Sequence, residues 1–220
     1  MPLSAQEARQ VYDRVGRLQD SQAVYEDAAV DRMIALSDLG SATAVFELGC
    51  GTGRLAERLL ADHLPAEATY LATDVSTRMS RIAERRLRPW AGRASVALLE
   101  PDARQLPAAT GAFDRFIATY VLDLLEEDAA RRSLDEAARL LREGGRLSVV
   151  GITPGPSGLT RMVMSAWSRI ATRFPRVVGG CRPIDVRALM DAARWVVDTD
   201  EVVTRWGISS QVLVARRGSR

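Results

Sequence analysis

Residues 47–54 read ELGCGTGR, with glycines at 49, 51 and 53 behind an acid and ahead of a helical pattern. Glycines so spaced allow a tight turn and let a ligand approach peptide N–H groups at a helix start, which favours a negative group such as a carboxylate. Asp74 ends the run ATYLATD (68–74), where it can accept hydrogen bonds from vicinal hydroxyls such as those of a ribose. Asp102, in EPDARQLP, can accept from an exocyclic amine while nearby N–H groups meet a ring nitrogen. Together these positions describe a ligand with a small charged group, a ribose and an adenine. Asp123 in YVLDLL and the adjacent Tyr120 are candidates to take up a proton. Tyr12 and Tyr25 offer ring faces to a cation. Each residue also has a structural reading: Asp74 and Asp123 as helix caps, the tyrosines as core. His63, the only histidine, lies one helix away from the ligand edge and is set aside as a catalyst.

The elements that must position these groups alternate. TAVFELG (43–49) is a strand, and RLAERLLADH after the glycines has Leu55, Leu59 and Leu60 on one helical face. A strand to Asp74 is followed by a helix from about Ser76 to Arg88, ended by Pro89. Further strands are expected at 94–100, 113–120 and 145–152. Before the last of these lies a helix that Asp128 caps and Gly144 follows. Strands and helices alternating at these lengths imply a parallel sheet covered on both faces. Ligands of such sheets bind beyond the carboxyl ends of the strands, the edge where 49–53, Asp74, Asp102 and Asp123 collect. Two helices are expected before residue 40. After Gly151 come a loop, a helical stretch over 159–176, a short helix opening with Pro183, and two strands divided near Gly207 as an antiparallel hairpin.

The 220 residues fit a single domain: N-terminal helices (1–40), a binding core (41–152), a lid (153–192) and closing strands (193–220). Thirty basic and 28 acidic side chains nearly cancel, so charge does not point to nucleic acid. All the basic residues are Arg, which excludes a Schiff-base or P-loop lysine. Cys50 and Cys181 form neither C-x-x-C nor a metal-ligand spacing, so no metal is expected. The N-terminus lacks an apolar signal core and no apolar run approaches the roughly 18 residues of a membrane span, so the expected compartment is the cytoplasm.

From about residue 40 to 152 the sequence resembles the class I S-adenosylmethionine-dependent methyltransferases. VFELGCGTG matches the first motif of that family, LATDVSTRM the second, PDARQLP the third, FDRFIATYVLDLL the fourth and RLLREGGRLSVV the fifth. Within the family the likeness is to the ubiquinone/menaquinone-biosynthesis type and related small-molecule or lipid methyltransferases. The resemblance implies a Rossmann-like sheet of seven mostly parallel strands with an antiparallel C-terminal hairpin, N-terminal helices and a helical lid. It implies S-adenosyl-L-methionine as cofactor and S-adenosyl-L-homocysteine as product. Gly49, Cys50, Gly51 and Gly53 would face the methionine part, and Glu47 would hold that loop or the cofactor's amino group. Asp74 and Val75 would lie at the ribose, and Met79 against one adenine face, although a helical Met is also common core filler. Asp102 and Ala103 would read the adenine edge, and the backbone at Thr119 would accept from the amino group.

Methyl transfer from a sulfonium depends mainly on alignment, worth roughly 7–11 kcal/mol for well-placed groups. A base, for which Asp123 with Tyr120 beside it is the candidate, is needed only if the acceptor loses a proton; Tyr12 joins them as a catalytic candidate through its ring face, which could fold over the sulfonium. Over 159–176, Val163, Trp167, Ile170 and Phe174 share a face, with Arg161, Arg169, Arg173 and Arg176 elsewhere. Such a helix can pack on the domain, cover an apolar acceptor, or touch an anionic membrane. The expected activity is therefore in-line methyl transfer to a small, apolar or lipid-like acceptor. A protein that binds S-adenosylmethionine without catalysis is an alternative. An NAD(P)-dependent oxidoreductase is disfavoured because Arg54 stands where a dinucleotide loop needs its third glycine.

Overall fold

The computed structural model describes residues 23–100, 105–155, 158 and 182–218. Helix α1 (Ala23–Leu36) precedes β1 (Ala44–Leu48), and the chain then alternates through α2 (Arg54–Asp62), β2 (Thr69–Asp74), α3 (Thr77–Arg86) and β3 (Ala94–Leu98). It continues through β4 (Phe113–Thr119), α4 (Glu127–Leu140), β5 (Leu141–Ile152), α5 (Val186–Leu189), β6 (Trp195–Arg205) and β7 (Ile208–Arg217). The seven strands lie in the order β3-β2-β1-β4-β5-β7-β6, parallel except where β7 runs antiparallel to both β5 and β6.

Alternation along the strands builds two cores. On one face Phe46, Phe116, Leu147, Val149 and Leu213 pack with Leu134, Ala137 and Ala138 of α4. Phe46 stacks on Phe116 with ring centroids 5.1 Å apart and meets Phe113 edge-on at 5.3 Å. On the other face Val45, Tyr70, Ala72, Ile117 and Val150 lie under Ala29, Val30, Met33 and Ile34 of α1 and Leu59 and Leu60 of α2. Burying a side chain of this size contributes roughly 1.5–3 kcal/mol.

Three expected boundaries differ. Helix α4 begins at Glu127 with Glu126 at its N-cap, so Asp128 sits in the first turn, where its charge favours the positive helix end without capping it. The same helix passes directly into β5 at Leu141, well before Gly144. Leu141 pairs with Phe113, and the next partners are Arg115 and Arg146, so β5 carries a bulge in which Gly144 takes φ 71°. Finally, Asp185 rather than Pro183 opens α5, its Oδ1 accepting from the N–H groups of Arg187 and Ala188 at 3.0 and 3.4 Å. The hairpin closing the sheet turns on Trp206 and Gly207, with φ 53° and 80°.

Candidate functional site

The chain runs outward from β1 to β3 and then returns to β4 on the other side of β1. That reversal leaves a crevice beyond the carboxyl ends of β1 and β4, where open α/β sheets take their ligands. The loop after β1 carries the glycines; the one after β4 carries Tyr120 and Asp123.

Gly49, Gly51 and Gly53 have φ of 70°, 54° and 77°, a left-handed run that other residues adopt only at a cost. Packing adds a second reason for two of them. A Cβ at Gly49 would lie 2.3 Å from Val121 Cγ2, and one at Gly53 would lie 3.0 Å from Ala83 Cβ. The obstruction that glycine avoids at 49 and 53 is thus protein: the loop after β4 and helix α3. Gly53 is the N-cap of α2, whose first turn presents its N–H groups to the crevice edge.

Hydrogen bonds lace this loop to β2. Cys50 N donates to Thr73 O and Gly51 N to Asp74 Oδ2, both at 2.8 Å. Asp74 Oδ1 accepts from Ser76 N at 2.8 Å, and Ser76 Oγ in turn caps α3 by accepting from Met79 N at 3.2 Å. Asp74 thus supports the start of α3, but the helix cap proper is Ser76. Each carboxylate oxygen can take more than one donor, so these bonds leave Asp74 capable of accepting from hydroxyls.

Behind the loop lies a buried acid. Glu47 is 1% exposed, and its Oε2 accepts from Tyr70 Oη at 2.9 Å. Burial pushes its carboxyl up from 4.5 to about 7; the Tyr70 hydrogen bond opposes that and Asp74 adds to it. Burial, with Glu47 and Asp74 nearby, raises the Cys50 thiol well above its ordinary value, making it a poor nucleophile.

Across the crevice, Thr119 ends β4 and Tyr120 follows with φ 54°. The Tyr120 hydroxyl shares a 2.9 Å hydrogen bond with Ser210 Oγ of β7. Asp123 is wholly buried in a single 3-10 turn (Leu122–Leu124), its Oδ2 accepting from Ile152 N at 3.1 Å. Its Oδ1 has no hydrogen-bond partner among the described residues. Burial raises this carboxyl from 3.8 to about 7, with backbone N–H groups and Arg182 pulling the other way. Asp123 does not cap α4. Instead its carbonyl accepts from Arg182 N at 3.0 Å, and the Arg182 guanidinium donates to Leu125 O at 2.6 and 3.2 Å. Arg182 thus ties the start of the described stretch 182–218 to the turn that carries Asp123, a contact its sequence context did not signal.

Glu47, the glycine loop, Asp74, Thr119, Tyr120 and Asp123 therefore share one end of the sheet. Val75 is half-buried against the α4-side core. Met79 is 1% exposed, so its side chain lies within the protein, as a core methionine does. His63 is the C-cap of α2 at the opposite rim. Tyr12, Asp102, Ala103, the 159–176 helix and the Tyr25 side chain lie outside the described residues. Tyr70 was not singled out by motif reading. The signal present in the sequence was a hydroxylated aromatic in an apolar strand, four residues before Asp74 and on the same face.

A zwitterionic amino-acid tail joined to a nucleoside needs a helix N-terminus for its carboxylate, an acid for its ammonium and an acceptor for ribose hydroxyls. The start of α2, Glu47 and Asp74 have those chemistries at one strand edge.

Comparison with known proteins adds to this geometry. Residues 45–145 match the methyltransferase domain. Demethylmenaquinone methyltransferase of Chlamydia pneumoniae is 30% identical over 116 residues, 53% of this chain and 47% of that protein. The chain thus spans about half the length of that relative, 47%. The ubiquinone/menaquinone biosynthesis C-methyltransferase of Syntrophotalea carbinolica is 28% identical over 180 residues, 79% of this chain and 72% of that protein. Among solved structures, N-methyltransferase NodS of Bradyrhizobium japonicum WM9, in complex with S-adenosyl-L-homocysteine, superposes with a TM-score of 0.72 at 18% identity. That superposition covers 98% of this chain and 99% of that one, and its likeness is one of fold.

Proposed function

We propose that this chain, whose residues 45–145 match the methyltransferase domain and whose sheet superposes on that of a known methyltransferase, binds S-adenosyl-L-methionine and transfers the methyl group to a small-molecule acceptor. The observation that carries the reading is the glycine loop at the β1–β4 reversal, flanked by Glu47 and Asp74. When bound, the cofactor supplies an electrophilic methyl group on a sulfonium. The first turn of α2 and the loop bind its tail, Asp74 and Val75 orient the ribose, Met79 supports the adenine side of the site from within the core, and Asp102 and Ala103 read the adenine edge. The Thr119 carbonyl accepts from the amino group.

The acceptor is small and apolar or lipid-like, approaching in line with the methyl group. The apolar stripe of 159–176 and the quinone-pathway names of the relatives support that class. The same stretch, with its arginines, suits peripheral contact with an anionic membrane. Where the acceptor must lose a proton, Asp123 takes it up, with Tyr120 and Tyr12 orienting the acceptor; the raised carboxyl of Asp123 supports this, being half protonated near pH 7.

Isothermal titration with S-adenosylhomocysteine tests the cofactor half, and absence of binding at sub-millimolar ligand ends the reading. Because Asp74 also holds Gly51 and Ser76, the informative variant is Asp74→Asn, which keeps one acceptor oxygen. It is expected to weaken binding by about 5- to 100-fold, the loss of one or two hydrogen bonds to a charged group. An unchanged affinity removes Asp74 from the site.

A further inference from the structure

Tyr70 sits mid-strand in β2 and is only 2% exposed. Packing alone would be met by Phe, yet the residue carries a hydroxyl whose partner is Glu47 Oε2 at 2.9 Å. Glu47 is equally enclosed and is further held through its main chain, since Thr73 Oγ1 donates to Glu47 O at 2.8 Å. The next two bonds along the strand pair, Cys50 N to Thr73 O and Gly51 N to Asp74 Oδ2, continue the same lacing up to the glycine loop. The titratable groups facing Glu47 are Tyr70 and Asp74 from β2 and Cys50 from the loop. Among the described residues no Arg forms an ion pair with Glu47. A buried carboxylate costs several kcal/mol unless hydrogen-bonded or matched by a cation. Here a phenol supplies the first, and no side chain among the described residues supplies the second.

We infer that Tyr70 is a positioning residue for cofactor binding: its hydroxyl fixes the Glu47 carboxylate beneath the glycine loop, poised for a cationic group arriving from outside. The inference rests on the reading that this loop takes S-adenosylmethionine, whose amino-acid tail carries the matching ammonium. Tyr70 touches no reacting atom. It acts through Glu47, holding one oxygen and favouring the ionised form that a cation requires. Ionisation of Glu47 near pH 7 then makes affinity for the ammonium rise with pH across that range, and loss of the Tyr70 hydrogen bond moves the midpoint upward.

The test compares two probes by calorimetry across about pH 5.5–8.5, either side of the Glu47 midpoint. S-adenosylhomocysteine carries the amino-acid tail; 5′-methylthioadenosine is a similar nucleoside thioether without it. Tyr70→Phe is expected to lose roughly 5- to 20-fold in S-adenosylhomocysteine affinity at neutral pH, with a higher midpoint and unchanged methylthioadenosine binding. Glu47→Gln, which keeps an acceptor for Tyr70, is expected to lose affinity for the tailed ligand alone and to show no midpoint. It keeps the proposal testable should Tyr70→Phe not fold. Wild-type affinity and midpoint in Tyr70→Phe, or equal losses for both probes, overturn the inference while leaving the cofactor reading intact. Wild-type protein that binds neither probe overturns both.

Discussion

Glu47 and Asp123 are carboxyl groups that the fold removes from water on opposite sides of one crevice, and the consequence is measurable without any ligand. In the unfolded chain they release their protons near 4.5 and 3.8, whereas in the folded protein they hold them up to about 7. Between those limits the folded state binds more protons, so the two groups make stability fall as pH rises, with no further effect above about 7. Each contributes on the order of 3–4 kcal/mol to that fall, because every tenfold gain in proton affinity on folding is worth about 1.4 kcal/mol. Urea unfolding at a series of pH values between about 5 and 7.5 is expected to show this downward trend. Glu47→Gln and Asp123→Asn are each expected to flatten it; a slope unchanged in both variants means that neither group is raised. At this scale the motif positions 47, 49, 51, 53 and 74 were legible, because residue type and spacing identify them. The protonation of Glu47 and its bond to Tyr70 were not, because they depend on a strand 23 residues away.

Among the elements, the paired strands and their helices follow the periodicity of the chain, while their ends were decided by contacts that periodicity does not contain. Helix α4 runs into β5 because Leu141 finds Phe113 on the neighbouring strand, and the excess residues are taken up in a bulge. Helix α1 docks through Ala29, Val30, Met33 and Ile34, and its surface ion pairs Arg54–Asp27 and Arg58–Asp31 orient it over α2. Such exposed pairs are worth about 0–1 kcal/mol each, so the apolar face does most of the docking. The β6–β7 hairpin carries a different kind of stress. Trp206 is 77% exposed and holds φ 53°, with the Arg205 guanidinium over its ring at 5.6 Å. Asn before Gly is the favoured pair for a two-residue turn of this hand. Trp206→Asn is therefore expected to stabilise the protein by about 0.5–1 kcal/mol, a rise of roughly 1–4 °C in Tm by calorimetry. A fall in Tm would show that the indole makes a contact worth more than the strain.

Taken as a whole, the molecule separates a stabilising pole from the pole proposed to bind the cofactor. At the end of the sheet away from the crevice, Arg115 is 5% exposed and donates to Ser37 O at 3.0 Å, Asp38 O at 2.6 Å and Ser41 Oγ at 2.8 Å, tying β4 to the turn after α1. Asp114 beside it accepts from Thr43 N and Thr43 Oγ1 at 2.8 and 2.6 Å. Arg115→Met leaves those acceptors unmet and is expected to cost about 3–5 kcal/mol in urea unfolding, as removal of one partner from a buried polar network does. Affinity for S-adenosylhomocysteine at a temperature where the variant is folded is expected to stay within about twofold, since additive effects hold between distant sites. A large loss of affinity would show that the two poles are coupled. By itself the sequence determined the alternation of strands and helices, the glycine turn and the acids that follow it, because these are written in local spacing and residue type. Tertiary structure alone decided that Val121 and Ala83 are what two of the glycines make room for, that Met79 faces the interior, and that Glu47 and Asp123 are sealed from water. Those outcomes depend on which distant elements close over a residue, and burial, unlike spacing, is a property of the assembled layers.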